Sequence, residues 1–165
     1  MSSRTILILA TITNLLIFGL FLKKLNFEQE IDPNLEIYYN TYFKAVHSNC
    51  YSREFNRPNQ VYVKFEKLPD DDIGQCVSWV LGYTIKIDVN TWANLNETDR
   101  YALMFHEMSH CLFREEHSND SNNIMYFMLP YNLRMEEVLL QGNNIIKKNC
   151  TMWENYGFKP IEIRN

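Results

Sequence analysis

The chain is sparing with glycine and proline, five of each in 165 residues. That excludes collagen-like and low-complexity architectures. Histidine is scarce too, with four in all, so any clustering of them carries weight. Positive charge is the minority sign: sixteen lysines and arginines face twenty aspartates and glutamates. Arg4, Lys23 and Lys24 flank the N-terminal apolar run, and the remainder is more acidic still. No basic stripe follows, which argues against a nucleic-acid partner. There is no internal repeat, and the length suits one domain rather than two.

Long hydrophobic runs are confined to one place. Thr5 to Leu22 carries no charge and reaches the lower limit for a helix crossing a ~30 Å hydrocarbon core. Lys23 to Glu28 follows without the small-residue cleavage site of a secretory signal. Residues 1–24 are therefore expected to be a transmembrane anchor or a signal segment, with membrane contact through residues 5–22. Residues 25–32 read as a linker, 33–150 as the folded domain and 151–165 as a tail. The expected location is a single-pass membrane protein with its domain extracytoplasmic, or a secreted one if the leader is cleaved. Positive charges on both sides of the run leave its orientation undetermined.

The domain holds Cys50, Cys76, Cys111 and Cys150. An even count behind a translocation signal points to as many as two disulfides, with three pairings open, or to four buried thiols. Sequons at Asn96, Asn119 and Asn149 are no more than such an asparagine-rich chain yields by chance.

Periodicity gives an α+β outline. Asp32-Pro33 is expected to open a helix that runs to about His47, with Leu35, Tyr38, Tyr42 and Val46 on one face. Val61, Val63 and Phe65 alternate with polar residues as in a strand. Gly74–Leu81 reads as a second strand, broken by Gly82, and Tyr83–Val89 as a third. Asn96 or Thr98 caps a helix continuing to about Phe113. Leu133–Lys148 is a last helix, with Gly142 as a weak point.

The chemistry concentrates in His106-Glu107-Met108-Ser109-His110. On a helix, positions i and i+4 share a face, so both imidazoles reach one tetrahedral Zn²⁺. Glu107, beside the first ligand, is placed to act as general base on a water activated by the metal. Chance yields this pentapeptide in about one such chain in a hundred, given its four histidines and the mechanism's fixed spacing. His117 lies beyond the helix end, and a chain reversal after Phe113 brings it back to the metal. His47 reads as an ordinary helix residue.

These residues, followed by Asn123-Ile124-Met125-Tyr126, resemble a metzincin zinc peptidase, whose pattern is HExxHxxGxxH and then a Met-turn. The order of two strands, a short loop with Trp92 and the active-site helix is similar to the core of matrixin-type catalytic domains. The resemblance implies a small twisted sheet of at least three strands packed on the active-site helix, with a C-terminal helix. It implies Met125 as the Met-turn residue, Gly74–Leu81 as an edge strand that pairs with peptide, and Ser78 and Trp79 along the cleft. Tyr126 and Tyr131 are candidate hydrogen-bond donors to an oxyanion. Two departures stand out. The family's third ligand falls on Glu116, one place before His117, and its glycine falls on Phe113. His117, Glu116 and Asp120 are the candidate third ligands. Neither a cysteine switch, a long pro-segment nor a C-terminal binding module is expected.

The reading is a zinc-dependent endopeptidase acting on peptide or protein substrates. The alternatives are a catalytically inactive metzincin-fold binding module anchored to a membrane, and a disulfide-stabilised interaction module without zinc.

Overall fold

A computed structural model describes residues 28–50, 60–69, 72–129 and 132–155. In chain order these form β1 (Glu28–Ile31), α1 (Glu36–Asn49), β2 (Gln60–Phe65), β3 (Gly74–Trp79), β4 (Gly82–Ile87), α2 (Val89–Asn94), α3 (Glu97–Phe113) and α4 (Met135–Asn155). The strands make one mixed sheet in the order β1-β2-β4-β3. β1 pairs parallel with β2, β2 parallel with β4, and β4 antiparallel with β3. The fold is α+β and consistent with a zincin-like architecture.

Strand alternation sorts the sheet into two faces. Val61, Val63, Tyr83, Ile85 and Ile87 are all buried, and the register sets Gly74, Cys76 and Ser78 on the same face as Ile87, Ile85 and Tyr83. α3 packs on this face. Leu35, Tyr39, Tyr42, Phe105, Met108 and Ile146 complete the core. The other face carries Glu66 between Lys64 and Lys86 at 2.7 and 2.6 Å, beside exposed Val77 and Trp79.

Several elements depart from expectation. The linker reading fails over 28–31, which form strand β1; its three leading residues are exposed, so it lacks the alternation that marks a half-buried strand. Asp32 does not cap a helix. Its N–H still donates to Val63 O, and its carboxylate accepts from Asn34 instead. A turn intervenes, and α1 begins only at Glu36. The loop around Trp92 is helix α2, capped by Asp88, whose side chain accepts from Thr91 N–H. Asn96, rather than Thr98, caps α3 by accepting from Asp99 N–H at 2.9 Å. β3 stops at Trp79, and a two-residue turn leads into β4. α4 outruns its expected end at Lys148 and reaches Asn155.

Gly142 has a packing reason. A Cβ there would stand 2.0 Å from the Phe105 ring, so the glycine lets α4 cross close over α3. The cysteines form Cys50–Cys150 and Cys76–Cys111, which sets aside the buried-thiol alternative. The first ties the end of α1 to α4, and the second ties β3 to α3.

The single-pass membrane location is corrected. Among the described residues no helix is long and apolar enough to cross a membrane. α3 has 17 residues, about 26 Å at 1.5 Å per residue. α4 is longer, but it carries Glu136, Glu137, Lys147 and Lys148. Residues 5–22, on which the membrane contact rested, lie outside the described residues, as does the tail from 156.

Candidate metal centre

The site is built on α3 and the chain reversal that ends it. His106 and His110 sit one turn apart on the helix. Arg114 then takes a left-handed conformation, φ 55° and ψ 34°, and its N–H donates to the Ser109 and His110 carbonyls. Glu115 N–H donates to Ser109 O at 3.3 Å. This reversal swings His117 back over the helix end.

The three imidazoles converge. His110 Nε2 lies 2.9 Å from His106 Nε2 and 3.2 Å from His117 Nε2. The ring centroids are 4.6 to 5.2 Å apart. Among the described residues these are the grouping of histidine, cysteine and acidic side chains able to hold a metal ion. Glu116 and Asp120 do not join it. Glu116 is exposed, and the Asp120 carboxylate accepts from Asn122 N–H within its own turn.

The donor set fits zinc. His106 Nδ1 meets Ile124 O at 2.6 Å, and His110 Nδ1 meets Glu115 O. A carbonyl only accepts, so each Nδ1 carries the proton and each Nε2 turns a lone pair inward. Burial lowers the His106 pKa to about 4, against the raising effect of its Ile124 hydrogen bond. Burial likewise lowers that of His110. Both rings are therefore neutral at neutral pH, the form that ligates metal. Nitrogens bound to tetrahedral zinc stand about 3.4 Å apart, and the observed spacings fall short of that by half an ångström or less. Lone pairs facing one another so closely call for a cation between them.

Glu107 is buried at 4% exposure. Burial first, and the Asp72 charge second, push its carboxyl up to about 8, while a hydrogen bond from the Cys76 backbone works the other way. The carboxyl lies against Gly74, where a Cβ would come within 2.5 Å of Oε1. The carboxyl beside the histidines is thus backed by the edge strand β3.

The remaining candidates separate. Met125 is buried in a turn closed by Tyr126 N–H donating to Asn123 O at 2.9 Å, and its carbonyl accepts from Ser118 N–H at 2.7 Å. Tyr126 is half-buried with its ring 4.4 Å from that of Phe127. Tyr131 lies outside the described residues. Ser78 and Trp79 are both exposed on β3, but the pleat parts them. Ser78 shares the α3 face with Gly74 and Cys76, whereas Trp79 stacks on Tyr62, 6.2 Å away, on the opposite face.

Sequence reasoning missed Gly74, Arg114 and the carbonyls of Glu115 and Ile124. It also missed Gln141, whose signal was a polar residue on the buried stripe of an amphipathic helix.

Neither the curated proteins nor the solved structures give a match. The model of the family described as "Putative phage metallopeptidase" matches residues 29–134, well over half of the chain. That span begins in β1 and contains the whole histidine cluster with its neighbouring glutamate. By this match, and in keeping with a three-histidine cluster suited to a metal ion, the chain belongs to that metallopeptidase family.

Proposed function

We propose that the protein is a zinc-dependent endopeptidase of metzincin type. The observation that carries this reading is the convergence of three Nε2 atoms beside one buried carboxyl on the same helix. His106, His110 and His117 would hold the ion. Zinc bound there supplies Lewis acidity, activating water and polarising the scissile carbonyl. The charge of a bound ion beside it would favour the ionised carboxylate, and in that form Glu107 accepts the proton of the attacking water and delivers it to the leaving amine. β3 is the sheet edge nearest the site, and an extended substrate adds to it as a further strand. Ser78 then faces the cleft side, and Trp79 does not. Tyr126 is the candidate donor to the oxyanion.

The metzincin reading draws on the reversal. In the family pattern the third histidine follows the glycine by three positions. Here Arg114 is left-handed and His117 follows it by the same interval. The extra residue therefore lies in the helix, before the reversal, and it moves both positions together. Met125, buried in a tight turn after His117, suits the Met-turn role.

The test is cleavage of a peptide library by the full chain with added zinc, beside Glu107→Ala. Cleavage by the wild type that is lost in the variant, with zinc still bound, is the expected result. A folded, zinc-loaded wild type that cuts nothing would favour an inactive binding module. Equal cleavage by both proteins would remove Glu107 from the mechanism.

A further inference from the structure

Helix α4 lies beyond the residues matched by the family model, which end at 134. It nevertheless reaches both helix-borne histidines at one remove. Gln141 uses both ends of its amide on one loop. Its Oε1 accepts from Ile124 N–H at 2.8 Å, and its Nε2 donates to Asn122 O at 2.9 Å. Ile124 O, on the residue whose N–H Gln141 holds, is the acceptor for His106 Nδ1. Two turns further along, Asn149 Nδ2 donates to Glu115 Oε2 at 2.9 Å, and Lys148 Nζ pairs with Glu115 Oε1 at 2.5 Å. Glu115 O is the acceptor for His110 Nδ1. Each Nδ1 thus meets a loop carbonyl whose residue is held by α4.

Attachment of the helix does not explain these contacts. Val138, Ile145 and Ile146 are buried in the core, and Cys150 is bridged to Cys50. Apolar side chains would serve that purpose at Gln141 as well. A side-chain amide that holds both Asn122 O and Ile124 N–H does something an apolar group cannot: it fixes the backbone that leads directly into the Ile124 carbonyl.

We propose that Gln141, and Asn149 together with Lys148, are positioning residues of the metal centre. Through the Ile124 and Glu115 carbonyls they set the ring orientation and tautomer of His106 and His110, and with them the affinity for metal. This inference rests on the metal-site reading above. Loss of a direct outer partner of a ligating histidine costs about 10- to 100-fold in metal affinity. Gln141 acts one step further out, so about tenfold is expected.

The experiment measures the zinc dissociation constant of the full chain by competition with a chromogenic chelator. Wild type is compared with Gln141→Met, which keeps side-chain length and helix propensity but removes both hydrogen bonds. Leu140→Ala, at an exposed neighbouring position, is the control. The expected result is zinc binding weakened about tenfold in Gln141→Met, with wild-type circular dichroism, and unchanged in Leu140→Ala. A merely structural role would lower the melting temperature of the metal-free protein and leave zinc affinity alone, and that outcome overturns the proposal. If Gln141→Met fails to fold, Asn149→Ala is read in the same way through Glu115 and His110. A wild-type chain that binds no zinc would instead overturn the metal-site reading, and this inference with it.

Discussion

At Gly74 the glycine is needed for clearance. The Glu107 carboxyl occupies the space that a side chain would fill, with Oε1 2.5 Å and Cδ 2.9 Å from a built Cβ. Gly74→Ala is expected to push that carboxyl aside while the sheet stays intact, because the end of a glutamate yields more readily than backbone. A misplacement of about 1 Å in a reacting group costs about 10²-fold in rate. The kcat for peptide cleavage should therefore fall about 100-fold, with zinc affinity and circular dichroism unchanged, and a wild-type kcat would refute the clearance argument. Such a role was not legible beforehand, because its cause sits 33 positions away on another element. His106, Glu107 and His110 were legible because their spacing is a property of any helix. His117 was legible as a neighbour, but the residue that turns the chain was not. Arginine pays for a left-handed conformation that sequence rules assign to glycine.

The crossing of α3 and α4 decides how the site is buttressed. Gly142 sits at that crossing against Phe105, next to the first histidine. Helix propensity alone says Gly142→Ala should stabilise by about 1 kcal/mol. Overpacking against a ring fully buried in the core costs about 1 to 3 kcal/mol and is expected to win. Urea unfolding should show a net loss of about 1 kcal/mol, whereas a gain would mean that the helices separate freely. α3 and β4 were legible because apolar period and caps agree there. β1 was not, since Glu28, Gln29 and Glu30 are exposed and only the ladder to β2 holds them in place. α2 was missed because six residues with one buried side chain, Trp92, give no period to read.

Two cross-links hold the molecule as a whole, and an ion at the three histidines would add to them. Cys50–Cys150 closes 100 residues and Cys76–Cys111 closes 35. By loop-closure entropy these are worth about 4.7 and 3.8 kcal/mol. The double variant Cys50→Ser/Cys150→Ser should therefore lose more in melting temperature than Cys76→Ser/Cys111→Ser. The order should reverse for KM, because the second bridge ties β3, the edge proposed to pair with substrate, to α3; equal KM values would separate the bridge from the cleft. Metal that binds only the folded chain adds about 2.7 kcal/mol at a free concentration 100 times its dissociation constant. A chelator should lower the melting temperature by several degrees for a domain of this size, and none of that shift should remain in His106→Ala.

The wider bridge has a consequence for the endopeptidase proposed above. From Cys50 to Cys150 the polypeptide is a closed ring, so one scission anywhere within it separates nothing. A molecule nicked by its neighbour keeps its mass and both severed strands, and an unreduced gel still displays a single species. Only a reductant would release the fragments and reveal how many turnovers the population has spent on itself.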